Sequence, residues 1–146
     1  MQVFLDGFGN ALLYDQGTPQ QRSTGLIETE NLTIVLPQVP GLGIKYDASH
    51  CVNRDGDYLR EMFEFGQHIR HFHVKGTLRI GGKNIPDPPA GMDDLHWGAM
   101  MALLYTHGYG GALSIEPHSS VWPGTGARGE FGVRFTIDMM RKFIMG

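Results

Sequence analysis

The sequence predicts an α/β fold with four parallel strands joined by helical crossovers. Short apolar runs of strand length alternate with segments whose apolar residues recur at helical spacing, and this alternation is typical of parallel sheets. Each predicted strand ends in a side chain that can bind a metal, namely Asp6, Asp47, His73 and Glu116. The third strand carries a His-x-His motif, and side chains two residues apart on a strand share a face. Because parallel α/β folds place their chemistry at the carboxyl ends of the strands, we expect these side chains to converge.

The composition is that of one ordinary globular domain, which we expect to span residues 1–146. The chain is 41% hydrophobic and 18% charged, with a formal net charge of -3. It therefore has the composition of a folded protein and lacks the cationic surface expected for binding nucleic acid or an anionic membrane.

The location that we expect for the chain is the cytoplasm. No run of 18 apolar residues predicts a transmembrane helix, and the first residues, Met1–Asp6, do not form a signal peptide pattern. The single cysteine, Cys51, excludes an internal disulfide and fits a reducing compartment.

The first predicted strand lies within Gln2–Phe8, around the apolar run Val3-Phe4-Leu5. The chain from there through Ser23 is predicted to be a loop, because it contains Gly17, Pro19 and three glutamines. A short helix is predicted over Leu26–Leu36, because Ile27, Ile34 and Val35 fall on one face and prolines follow. The second strand is predicted over Leu42–Tyr46.

The middle of the chain predicts a helix followed by the strand that carries the His-x-His motif. Asp57 is a suitable N-cap for a helix that runs to about His68. The residues that we expect on the inner face of this helix are Leu59, Met62 and Phe63. The third strand is predicted over Ile69–Val74.

A long loop from Gly76 to Met92 follows, with a small hairpin around Gly81-Gly82. We expect its part from Gly81 to Gly91 to shape a pocket. Two further helices and a strand complete the pattern. Asp94 is expected to cap a helix over His96–His107, which Gly108 ends in a C′ position. The fourth strand is predicted over Ala112–Glu116. The last helix is predicted over Glu130–Ile144, with Val133, Ile137, Met140 and Ile144 at helical spacing.

One histidine and three carboxylates at the four strand ends make a mixed nitrogen and oxygen ligand set. Such a set suits Mn²⁺, Mg²⁺ or Co²⁺ better than a thiolate-type zinc site. Each residue also has a purely structural interpretation. Asp6 can start a turn, Asp47 can cap a helix, His73 can be a hydrogen-bonded core histidine, and Glu116 can be an ion-pair partner.

Several motifs in this order resemble the C-terminal half of the sugar phosphate isomerase/epimerase family. These are xylose isomerase-like TIM barrels, also called AP endonuclease family 2. The matching stretches are Tyr46-Asp47-Ala48-Ser49-His50, His71-Phe72-His73, Trp97 and Gly108–Glu116. The resemblance implies a (β/α) half-barrel of four units that correspond to strands 5–8 of the barrel.

The resemblance implies a divalent metal ion, with Mn²⁺ as the first candidate and Mg²⁺, Co²⁺ and Zn²⁺ as alternatives. Asp47, His73 and Glu116 match metal ligands of the family. The first ligand of the family is usually glutamate, and Asp6 is the best candidate here. His50 and Arg79 match residues that contact the substrate.

The activity implied by the resemblance is isomerisation or epimerisation of a small carbohydrate. In this interpretation Glu116 is the base that removes a proton beside a carbonyl, and Asp6 faces it. Lys75 and His118 are secondary candidates for substrate binding. The alternatives are a lyase, a dehydratase, an enzyme that cleaves C-glycosides, or a non-catalytic module that binds a sugar or a partner. A DNA-repair endonuclease is disfavoured because the chain is not basic, with a formal net charge of -3, whereas DNA affinity depends on cationic contacts.

Four βα units are half of what a closed barrel of about 250 residues contains. An open half-barrel would leave strand edges and its inner face exposed. We therefore expect the chain to be part of a longer protein, to form a homo-oligomer, or to pair with a second chain that completes the barrel.

Overall fold

The computed structural model of the chain describes residues 2–5, 11–15, 18–20, 41, 43–117 and 119–145. The described part contains eight strands, four α-helices and one turn of 3₁₀ helix. The strands are β1 (Gln2–Leu5), β2 (Ala11–Asp15), β3 (Thr18–Gln20), β4 (Ile44–Tyr46), β5 (Ile69–Val74), β6 (Leu78–Ile80), β7 (Lys83–Ile85) and β8 (Leu113–Ile115). The helices are α1 (Ala48–Asn53), α2 (Tyr58–Phe65), α3 (Trp97–Thr106) and α4 (Gly126–Arg141), and the 3₁₀ turn is Gly66–His68.

The parallel sheet that carries the predicted strand ends has the order β4-β5-β8. Tyr46 pairs with Phe72, and Phe72 also pairs with Leu113. The helices α1 and α2 connect β4 to β5, and α3 connects β5 to β8. The predicted α/β class with parallel strands and helical crossovers is therefore confirmed.

The prediction that Gln2–Leu5 is a fourth parallel strand is wrong. This strand pairs antiparallel with β2, and β2 pairs antiparallel with β3, in a sheet of their own. The segment predicted as a loop contains the apolar run Ala11-Leu12-Leu13-Tyr14, which forms β2. Two strands joined by a short connection pair as an antiparallel hairpin, because parallel pairing needs a crossover of a dozen or more residues. The predicted helix Leu26–Leu36 lies outside the described residues.

The hydrophobic core packs against the face of the parallel sheet that carries Tyr46 and Phe72. Phe72 is fully buried, and its ring stacks on that of Tyr46 at 6.0 Å. Because side chains alternate along a strand, Asp47 and His73 point to the opposite face. The other main members of the core are Ile44, Met62, Ile69, Val74, Trp97, Met100, Leu104 and Met140.

Carboxylates cap the first two helices. Asp47 accepts the backbone N–H of Ser49 at the start of α1, and Asp57 accepts that of Arg60 in α2, as predicted. Met62 is buried in the core, whereas Phe63 is 67% exposed, so the prediction that Phe63 lies on the inner face is wrong. The helix ends at Phe65, and the 3₁₀ turn brings the chain to β5.

The start of α3 is organised by Asp93 and not by Asp94, which corrects the predicted cap. The Asp93 carboxylate accepts hydrogen bonds from Trp97 Nε1 and from the backbone N–H groups of Gly91 and Thr77. Burial raises the pKa of Asp93 despite these three donors. Gly108 ends the helix as predicted, with a φ of 66° and a hydrogen bond to the Tyr105 carbonyl.

The last helix, α4, buries a different face from the predicted one. Of the apolar residues at helical spacing, Met140 is in the core, whereas Ile137 is exposed, and so is Ile144, which follows the end of the helix at Arg141. The buried residues are Gly129, Gly132, Thr136 and Met140. Within the part of the chain that the structure describes, no helix is both long and apolar enough to span a membrane.

Candidate metal centre

Three of the predicted ligands meet at the carboxyl end of the parallel sheet. Asp47, His73 and Glu116 each offer one ligand atom, and these atoms lie within 4.8 Å of one another. His73 Nδ1 lies 2.8 Å from Glu116 Oε2 and 4.0 Å from Asp47 Oδ2. Among the described residues this is the group of three such side chains that could hold a metal ion.

The strand register brings the three side chains together. Tyr46 pairs with Phe72, so Asp47 and His73 directly follow paired residues and lie side by side. Val74 pairs with Ile115, and the Glu116 N–H donates to the Val74 carbonyl, which continues the ladder by one residue. The three side chains therefore follow three neighbouring strands and lie together at the carboxyl end of the sheet.

Asp47 has one carboxylate oxygen that the described protein groups leave without a hydrogen bond. Oδ1 accepts hydrogen bonds from the Ser49 N–H at 2.9 Å and from Ser49 Oγ at 2.7 Å. Oδ2 is buried and lacks a hydrogen bond, and it faces His73 and His50. A buried carboxylate oxygen with no donor is costly unless a cation or a proton compensates it.

The two distances from His73 Nδ1 suit a divalent ion of the type that the ligand set predicts. Ligand atoms about 2.1 Å from one ion lie about 3 Å apart at right angles and about 4.2 Å apart when opposite. The two distances from His73 Nδ1 are 2.8 and 4.0 Å. A divalent ion held by Asp47, His73 and Glu116 would also supply the partner that Asp47 Oδ2 needs.

His73 Nδ1 and Glu116 Oε2 are hydrogen-bonded, with the Nδ1–H group as the donor because an ionised carboxylate can only accept. A metal ion would replace that proton, because a ligating imidazole nitrogen carries none. The side chain of His73 is 11% exposed and that of Glu116 is 34% exposed. Glu116 therefore closes the cluster on its solvent side.

His50 lies beside the cluster, where the resemblance places a substrate contact. Its Nε2 is 3.4 Å from Asp47 Oδ2, and its side chain is 26% exposed. Burial lowers the pKa of His50, and the positive charges of Lys75 and Arg54 lower it further, whereas Asp47 raises it. His50 is therefore favoured as a neutral imidazole that can donate or accept a hydrogen bond at the edge of the site.

His71, the first histidine of the His-x-His motif, stays outside the three-residue group. Its ring meets that of His73 edge to face, with centroids 5.1 Å apart. Burial and the neighbouring charges of His73 and Lys45 lower the pKa of His71. His71 packs against His73, a candidate ligand, and lies two residues before it on the strand, farther from the carboxyl end.

Lys75 lies beside the centre in a narrow cleft that Glu116 also lines. Its Nζ is 3.4 Å from Asp87 Oδ2, and the side chains of Lys75 and Asp87 are 6% and 24% exposed. Asp87 and Trp122 also line this cleft, and neither was predicted. The Pro-Asp-Pro-Pro sequence around Asp87 was the available signal, since proline fixes the backbone near a polar side chain.

Arg79 extends from β6 toward the turn after α1. Its guanidinium donates to the Val52 carbonyl at 2.9 Å and forms an ion pair with Asp55. Its role as a substrate contact stays a prediction. Asp6 and His118 lie outside the described residues, so their predicted roles also stay predictions.

Comparison with known proteins identifies the family. The family model described as xylose isomerase-like TIM barrel matches residues 23–143. The chain resembles the crystal structure of a xylose isomerase domain protein from Planctomyces limnophilus, with 20% identity and a TM-score of 0.64 over 82% of this chain and 42% of that one. It also matches mannonate dehydratase from Streptococcus suis serotype 2, with 17% identity and a TM-score of 0.49 over 71% and 36% of the two chains.

No curated protein gives a significant match. The chain spans about two fifths of the length of the Planctomyces protein. At this identity the structural likeness shows the fold alone, and the family match covers most of the chain. The chain belongs to the xylose isomerase-like TIM barrel family.

Proposed function

We propose that the chain carries the metal site of a sugar isomerase or epimerase that works by moving a proton beside a carbonyl group. The observation that carries this proposal is the buried Asp47 Oδ2, which lacks a hydrogen bond and faces His73 in the group completed by Glu116. Asp47, His73 and Glu116 would hold one divalent ion, with Mn²⁺ as the first candidate and Asp6 as a fourth ligand. When bound, the ion supplies Lewis acidity that polarises the substrate carbonyl and makes the neighbouring C–H more acidic.

Glu116 is the residue proposed to move the proton. Its carboxylate is the most exposed of the three ligand side chains, so a substrate can approach it. The carboxylate removes the proton from the carbon beside the carbonyl, and the electron pair of that C–H bond moves toward the carbonyl oxygen. Returning the proton to the neighbouring carbon gives isomerisation, and its return to the opposite face gives epimerisation. Asp6 is proposed to face Glu116 across the substrate.

The test is exchange of substrate hydrogen with solvent. The chain is incubated with Mn²⁺ in D₂O with a panel of ketoses, inositols and 3-keto sugars. After the ion is removed with a chelator, NMR measures the deuterium incorporated. We expect metal-dependent incorporation that Glu116→Gln abolishes, because the amide cannot accept the proton at neutral pH.

The matched control is Glu130→Gln, since Glu130 is an exposed residue of α4 that pairs with Arg134. This variant should exchange hydrogen as the unaltered chain does. If the metal-loaded chain, in whatever oligomeric state it forms, incorporates no deuterium into any member of the panel, the proposed reaction is wrong. A non-catalytic sugar-binding module would then be the better interpretation.

A further inference from the structure

The cleft beside the candidate metal centre combines one cation and one carboxylate in a small space. Lys75 Nζ and Asp87 Oδ2 lie 3.4 Å apart. Both residues and Glu116 line this cleft, whose other walls include Pro88, Trp122 and Thr136. A nearly buried lysine needs a partner, because an uncompensated ammonium in a protein interior is costly. Asp87 supplies that partner, so the pair is neutral overall.

The size of the cleft limits what can enter it. Its free volume is about 10 Å³, which is enough for about one water molecule. One hydroxyl group would therefore fill it. The charge of Lys75 is already balanced by Asp87, so the cleft offers no uncompensated positive charge to a phosphate group.

The walls of the cleft are tightly packed. A Cβ at Gly76 would collide with the Pro88 carbonyl oxygen, and a Cβ at Gly132 would lie 3.1 Å from Pro89 Cγ. The loop that carries Asp87 is thus in close contact with both the end of β5 and the helix α4. Proline also restricts the backbone on both sides of Asp87. The backbone of the loop that carries Asp87 is therefore held close to the end of β5, near Lys75.

We propose that Lys75 and Asp87 form a subsite for one hydroxyl group of an uncharged polyhydroxy substrate, next to the group that reacts at Glu116. A hydroxyl both donates and accepts hydrogen bonds, so it can accept from the Lys75 ammonium and donate to the Asp87 carboxylate. This inference rests on the proposed function, and it names the substrate class as a neutral polyol with adjacent oxygens. The balanced charge of the pair disfavours a phosphate group at this subsite.

The test measures binding and not turnover. The Mg²⁺-loaded chain is titrated by calorimetry with D-fructose, D-psicose and myo-inositol, with deoxy analogues of each compound that binds, and with D-fructose 6-phosphate. Lys75→Met and Asp87→Asn should each raise the dissociation constant of the bound polyol about tenfold, since hydrogen bonds to charged groups contribute this much or more. The deoxy analogue that lacks the hydroxyl in the cleft should bind about tenfold more weakly to the unaltered chain. Its binding should be insensitive to both substitutions.

The matched control is Lys83→Met, because Lys83 is an exposed lysine of β7. It should bind the polyol with unchanged affinity. Circular dichroism melting and Mg²⁺ titration of each variant establish that it is folded and binds metal. If Lys75→Met does not fold, Asp87→Asn and the deoxy analogue provide the same comparison.

Four results would overturn the inference. The first is no binding of any polyol by a chain that binds metal. The second is polyol affinity that neither substitution changes, which would mean that the cleft holds only a structural water. The third is a deoxy series in which every analogue binds as tightly as its parent. The fourth is tighter binding of the phosphorylated ketose that depends on Lys75. Absence of hydrogen exchange together with hydroxyl-dependent binding would instead reject the proposed reaction and retain the subsite.

Discussion

Asp47 uses its two carboxylate oxygens differently. Oδ1 accepts two hydrogen bonds from Ser49 and caps α1, and these bonds fix the orientation of the carboxylate. Oδ2 is thereby directed toward His73 and the candidate metal centre. The helix-capping and metal-binding interpretations of Asp47 are therefore compatible. A ligand held in this way loses little conformational entropy when an ion binds.

At the same scale, the two histidines of the His-x-His motif should differ in their effect on metal binding. His73→Ala should abolish stoichiometric Mn²⁺ binding because it removes one of the three candidate ligands that the structure brings together. His71→Ala should retain it because His71 lies outside the group. Calorimetry with elemental analysis measures both effects, and unchanged Mn²⁺ binding by His73→Ala would contradict the assignment.

Cys51 should be chemically inert in the folded chain. It is buried, and burial together with the negative charge of Glu61 raises its pKa from 9.0 to about 12. A difference of about three in pKa lowers the thiolate fraction at pH 8 about a thousandfold. Iodoacetamide should therefore alkylate Cys51 about a thousandfold more slowly in native buffer than in denaturing urea. Mass spectrometry follows the modification, and equal rates in the two conditions would be inconsistent with this environment.

At the scale of elements, the end of β5 and the following loop depend on a glycine. At Gly76 any side chain would meet the backbone of Pro88, Pro89 and Ala90. We expect Gly76→Ala to lower the free energy of unfolding by about 2 kcal/mol, because the loop must move to admit a methyl group. Urea denaturation measures the change.

Gly110→Ala is the control for this substitution. Gly110 has no neighbouring atom within 4 Å of the added Cβ and is not among the positive-φ residues. The control should be neutral or slightly stabilising. Equal destabilisation by Gly110→Ala and Gly76→Ala would show that loss of glycine flexibility, and not contact with the loop, is responsible.

Local sequence signals predicted the elements whose ends depend on nearby residues. The strand Ile69–Val74 has the predicted bounds, the hairpin at Gly81-Gly82 forms, and Gly108 ends α3. The buried face of α4 was not predictable in this way. At Gly129 a Cβ would collide with the Pro123 carbonyl oxygen, so small residues let a loop approach the helix closely. The spacing of apolar residues along a helix does not predict where small residues allow a loop to approach it.

The candidate site shows the same division. Asp47, His73 and Glu116 were predictable because parallel strands align their carboxyl ends. Asp87 was not, because it reaches Lys75 through a loop whose path depends on tertiary packing. The antiparallel pairing of Gln2–Leu5 was missed because the apolar run that follows it was interpreted as a loop.

At the scale of the whole molecule, the parallel sheet has three strands in the described part of the chain. The family to which the chain belongs is described as a TIM barrel. A typical TIM barrel is closed and has eight parallel strands. Within the described residues, β4 and β8 each pair with β5 alone in this sheet. The exposed apolar side chains include Phe63, Val121, Phe131 and Ile137. Unpaired strand edges together with exposed apolar side chains favour association with another chain.

We therefore expect the purified chain to form homo-oligomers. If a second chain that supplies further strands is present, we expect the two chains to associate. Light scattering coupled to size-exclusion chromatography and native mass spectrometry give the mass, and dilution should dissociate a homo-oligomer. Association should raise the thermal midpoint with increasing protein concentration, because binding stabilises the folded state by mass action. A compact monomer that unfolds cooperatively at a concentration-independent midpoint, and that binds no dye for apolar surfaces, would contradict this expectation. It would mean that the three-stranded parallel sheet and the elements packed on it are stable without a closed barrel.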